Sequence, residues 1–171
     1  VGQLRKKRKG LLLMFGKKNF RELGGYLIDG LPVPEKSFVQ ALLYPDKLKL
    51  NAVVKEFKPV TKEFELSLEK VKSIRVLSES EIHQVVEQSA PGMIIGAAAF
   101  GLIGAMIGGR VKTEEKTVLK SLLLIDYVSN GEKQIVIDCS KAAPSEQSAF
   151  LKRFYELKPE CNQQQNTPVQ L

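Results

Sequence analysis

Residues 90–109 of this 171-residue chain read APGMIIGAAAFGLIGAMIGG, with no charged side chain and six glycines, at 92, 96, 101, 104, 108 and 109. As one α-helix the run would be about 30 Å long, the thickness of a bilayer's hydrocarbon core. Each interior glycine costs a helix about 1 kcal/mol relative to alanine, so such a helix does not hold alone in water. It needs a membrane, a partner helix, or both. Gly92/Gly96 and Gly104/Gly108 are G-x-x-x-G pairs, and Ala97, Gly101, Ala105 and Gly109 form a second ladder of small residues. This spacing lets helix backbones touch, which makes these eight positions the candidate self-association surface, a glycine zipper. The plain alternative is a Gly-rich hairpin buried in a core with no membrane contact. A phosphate-binding loop does not fit: G-x-G-x-x-G is missing, and Gly109 is followed by Arg110-Val111 rather than Lys-Ser/Thr.

The formal charge of +7 is unevenly placed. Arg5, Lys6, Lys7, Arg8 and Lys9 are consecutive, and Lys17 and Lys18 follow the short apolar run at residues 11–15. These seven cations are the candidate anionic-surface site, each worth about 1 kcal/mol close to an anionic leaflet. A solvated tail explains the same block. Nucleic acid is the weaker reading, because no aromatic residues are interleaved with the charges to stack on bases. The apolar run is too short for the core of a signal peptide and Lys17-Lys18 interrupts it. Cys139 and Cys161 are the only cysteines, so no disulfide framework is expected. A reducing cytoplasmic setting, at the inner face of the membrane, is the simplest expectation.

Outside the insert the pattern is that of short strands. Tyr26-Leu27-Ile28 is brief and ends at the turn pair Asp29-Gly30. Residues 37–44 read as a strand closed by Pro45-Asp46, and residues 47–54 alternate cleanly, which makes the pair an antiparallel hairpin. Residues 62–67 and 72–77 alternate again around a short turn, with Phe64, Leu66, Ile74 and Val76 inward. Residues 118–128 form the strongest strand, although their Leu-rich middle also suits a helix. Asn130-Gly131 then turns the chain into the strand at 134–139. Pro144 opens a helix over residues 144–158, with Phe150, Leu151, Phe154 and Leu157 on one stripe. Cys161 and the polar residues after it read as a disordered tail.

No constellation for catalysis is present in the sequence. His83 is the single histidine, in a polar stem at residues 79–88 with Ser78, Ser80 and Ser89 nearby. Asp29, Asp46, Asp126 and Asp138 stand at strand or turn ends without a paired pattern. The chain is therefore expected to be no enzyme, with no metal, cofactor or small-molecule substrate.

About seven antiparallel strands followed by one amphipathic helix predict a mainly β fold, a barrel closed by the C-terminal helix. The chain resembles bacterial pleckstrin-homology-like (PH-like) domain proteins that carry a glycine-zipper insert. The segment Gly30-Leu31-Pro32-Val33-Pro34, the run ending Ile107-Gly108-Gly109-Arg110, and the final strand pair with its helix carry that resemblance, over about residues 24–158. It implies a membrane-associated binding or scaffold module, whose partners are further copies of the chain and membrane lipid. The phosphoinositide pocket of such domains has no residue-level match here. Residues 1–23 are then a basic tail and 159–171 a polar one. A single membrane pass would leave two half-barrels with open edges on opposite sides. The insert is therefore expected to be a helical hairpin broken near Phe100-Gly101, each arm about 14 Å long.

Overall fold

The alternation seen in the sequence is realised as seven strands. A computed structural model describes residues 19–55, 57–88 and 120–162. Its strands are β1 (Arg21–Asp29), β2 (Phe38–Leu43), β3 (Lys47–Val54), β4 (Val60–Ser67), β5 (Val71–Ser78), β6 (Ser121–Val128) and β7 (Glu132–Asp138). Helix α1 (Glu79–Gln88) follows β5, and α2 (Pro144–Leu157) follows β7. All pairings are antiparallel and build one sheet in the order β4-β3-β2-β1-β7-β6-β5.

This sheet cannot be flat. Six gaps of about 4.8 Å would hold its two edges about 29 Å apart. Yet β4 and β5, the edges, are joined only by the 3₁₀ turn Leu68–Lys70, a reach of at most about 15 Å. The sheet curls until its edges meet at that corner, and it buries one face inside. Leu23, Leu27, Val39, Ala41, Leu43, Leu48, Leu50, Ile74, Leu123, Ile125, Ile135 and Ile137 line the interior together with Phe150 and Phe154 of α2.

The expected closed barrel is corrected here. Among the described residues β4 and β5 do not pair, and the sheet stays open along that seam. Side chains from α2 and the residues after it occupy acceptors that strand pairing could otherwise use. Tyr155 Oη donates to Ile74 O at 3.2 Å, Lys158 Nζ donates to Val71 O at 2.6 Å and Leu68 O at 3.3 Å, and Cys161 Sγ donates to Lys72 O at 3.1 Å. Cys161 is thus a buried residue of the 3₁₀ turn Pro159–Cys161, not part of a disordered tail. Residues 163–171 lie outside the described set.

Strand β1 is also longer than its sequence suggests. Gly24-Gly25 lies within it, ahead of the Tyr26-Leu27-Ile28 stretch that the pattern marks. The Phe38 ring lies where a Gly24 side chain would stand, and the β7 backbone at Asp138 closes on Gly25. Close neighbours, not chain flexibility, account for this glycine pair.

Burial pushes the Cys139 thiol above its ordinary pKa, with a hydrogen bond to Ser121 opposing it, and burial does the same to Cys161. In the unfolded chain both would ionise near about pH 8.5. Their raised folded pKa values mean that the associated stability is complete below that point and is lost as pH rises toward the folded values. The melting temperature is expected to hold steady up to about pH 8 and to fall above about pH 8.5. The double variant Cys139→Ala/Cys161→Ala should flatten the fall; an unchanged slope would show that thiol burial is not its cause.

Candidate functional site

The sequence's most unusual segment hangs between β5 and β6, so its attachment is the candidate site. Ser78 ends β5, Ser121 begins β6, and the two are direct register partners. Whatever lies between them leaves and returns at one point of one sheet. This excludes a single membrane pass with the two halves of the domain on opposite sides. Two full crossings would need about 40 apolar residues, whereas the uncharged run has twenty.

The departing end is a capped helix. Ser78-Glu79-Ser80-Glu81 has the S-x-x-E spacing of a capping box. The Glu81 carboxylate accepts from Ser78 N and from Ser78 Oγ, both at 2.7 Å, while Ser78 Oγ accepts from Glu81 N at 3.4 Å. This stem was legible in the sequence as a polar stretch but not as a helix start. From the cap, α1 places Ile82, 4% exposed, in a cluster with Leu77, Leu122, Leu124 and Val136, with Ile28 packed against it. Alternation along β6 and β7 puts that cluster on the opposite face from Leu123, Ile125, Ile135 and Ile137. Leu122 to Ile125 are consequently buried on both faces. A continuous apolar run such as Leu122-Leu123-Leu124-Ile125 is what a strand covered on two sides requires.

A polar knot fixes the returning end. Ser140 Oγ accepts from Lys120 N at 2.9 Å and from Ser121 N at 3.2 Å, and it donates to Asp138 Oδ1 at 2.5 Å. Gln147 of α2 reaches Ser121 Oγ at 2.9 Å and the carbonyls of Cys139 and Ala142, each at 3.1 Å. Cys139 N closes the arrangement on Ser121 O at 3.1 Å. The neck is therefore tied to β7 and to α2 at once. No sequence signal singled out Ser121, Ser140 or Gln147, because isolated polar residues acquire this role only when three distant segments meet.

The residues singled out in sequence are placed as follows. Gly92, Gly96, Ala97, Gly101, Gly104, Ala105, Gly108 and Gly109 lie outside the described residues, as do Arg5, Lys6, Lys7, Arg8, Lys9, Lys17 and Lys18. The expected hairpin falls outside them too. His83 is exposed on α1. Asp29 accepts from Gly30 N at 2.7 Å. Asp126 accepts from Ser73 Oγ at 2.5 Å, from Arg75 at 3.2 Å and from Gln134. Among the described residues no group of three or more His, Cys, Asp or Glu side chains is placed to hold a metal ion. No helix among them is long and apolar enough to cross a membrane. No protein-family model, curated protein or solved structure matches this chain.

Proposed function

We propose that this chain is a non-enzymatic PH-like module, associated with a membrane from one side and self-associating through the glycine zipper at residues 90–109. The observation that carries the reading is the Ser78–Ser121 pairing. It brings the two ends of segment 79–120, which contains the uncharged glycine ladder, to one rung of one sheet, which fits an insert that acts from one side of the domain. Inserted into one leaflet, or packed against the same segment of other copies, it meets the requirement that a glycine-rich helix has a partner. The strand order, with a C-terminal helix over the open seam, supports the PH-like part. The basic residues Arg5, Lys6, Lys7, Arg8, Lys9, Lys17 and Lys18 supply charge complementary to an anionic inner leaflet.

Native-cell fractionation combined with light scattering of the extracted protein tests this. The parent chain is expected in the membrane fraction, resisting a high-salt wash and released by detergent as an oligomer. Gly101→Leu and Gly104→Leu are expected to abolish self-association or membrane retention, since overpacking such a contact costs about 1–3 kcal/mol. Circular dichroism of the β-rich domain should not change. Met93→Leu and Met106→Leu conserve volume and should behave as the parent. A chain wholly soluble without detergent yet still a regular oligomer would point instead to a soluble assembly protein. Glycine variants that stay as oligomeric and membrane-bound as the parent would overturn the zipper.

A further inference from the structure

Between β3 and β4, Phe57 is 103% exposed. A phenylalanine this exposed forgoes the burial its ring can obtain. Phe38 and Val60 are the other exposed large hydrophobic residues among those described, and the pairings Phe38↔Val53 and Val54↔Val60 put both on the rungs beside this connection. Lys55 and Lys58 lie close to Phe57 in the chain, Lys62 stands opposite Ala52 on the same hairpin, and all three are exposed. Among the described residues none of the three has an ion-pair partner, unlike Lys47 and Lys49 farther down the same hairpin, which pair with Glu65 and Glu63.

From this placement we infer that the tip of the β3–β4 hairpin is a second membrane contact, separate from the insert: Phe57 enters the headgroup region of an anionic bilayer while Lys55, Lys58 and Lys62 engage the lipid phosphates. The inference rests on the reading of the chain as membrane-associated. Charge complementarity selects an anionic lipid surface over an apolar protein groove. Lys55, Lys58 and Lys62 outnumber the one acidic residue of this stretch, Glu56, and an apolar ring with such an excess of cations suits an interface that is apolar a few ångströms down and negatively charged above. Each lysine is worth about a fivefold gain in partitioning onto such a surface.

The chain contains no tryptophan, so Phe57→Trp installs a single reporter at the tip of the full-length protein. On adding vesicles rich in phosphatidylglycerol, its emission is expected to move to the blue and become shielded from acrylamide, with little change on pure phosphatidylcholine. Adding Lys55→Glu and Lys58→Glu to that variant should lower binding at least tenfold and remove the shift. If the protein sediments with the vesicles while the tryptophan stays water-exposed, the tip is not a contact, although membrane association through another part of the chain stands. If the protein sediments with neither vesicle, both the tip contact and the membrane-associated reading are overturned. A blue shift that grows with protein concentration in the absence of vesicles would mean that a second copy covers the tip, and would overturn a lipid contact.

Discussion

Phe150→Ala is expected to lower the stability of the domain by about 3–5 kcal/mol, the usual cost of emptying a phenylalanine site. Phe150 is fully buried at 0% exposure, on the face of α2 that also carries Phe154. This helix is more than a lid. Its Gln147 ties the neck of the insertion, and Tyr155 and the following Lys158 hold β5 carbonyls at the open seam. Loosening α2 therefore releases the core and both attachments together. Against the about 5–15 kcal/mol that separates a folded domain from its unfolded ensemble, the loss consumes a large share. Urea denaturation followed by circular dichroism measures it. Lys152→Ala, an exposed change on the same helix, should shift the midpoint by little. Equal effects of the two substitutions would show that α2 does not seal the core.

Gly30→Ala carries two penalties that can be separated. Gly30 sits at φ +100°, where residues with a side chain are strained, at a typical cost of about 1–2 kcal/mol. A β-carbon there would also collide with Gln134 O and lie 2.7 Å from Ile135 Cα, both backbone atoms of β7. Neither can move without disturbing the β1–β7 pairing, which joins the two halves of the sheet and already carries an irregularity between Leu27 and Asp29. Overpacking adds about 1–3 kcal/mol, for a total near 2–5 kcal/mol. Gly131 provides the comparison: it sits at φ +114°, yet a β-carbon would meet nothing within 4 Å. Gly131→Ala should show the conformational cost alone, about 1–2 kcal/mol. If the two variants unfold at the same urea concentration, the contact with β7 is not tight.

Both cases show what local pattern conveys. The alternation in β3 (Lys47–Val54), the Asn130-Gly131 turn and the helix opening at Pro144 were legible because each depends on side chains or dihedrals within a few residues. The Gly24-Gly25 pair carried no such local signal. Its meaning lies in Phe38 and Asp138, on strands 14 and more residues away.

The sequence by itself determined that most of this chain alternates as strands, that a helix follows them, and that an uncharged glycine ladder interrupts them with a need for a partner. Those properties follow from periodicity and propensity, which are local. Tertiary structure alone decided that the sheet curls without closing, that α1 covers a second face of β6, and that Cys161 is buried at the seam. It alone decided that Ser78 and Ser121 meet, bringing both ends of the insertion to one point. Such outcomes depend on which strands become neighbours, and pairing is chosen by the burial of a shared core rather than by any one segment's pattern.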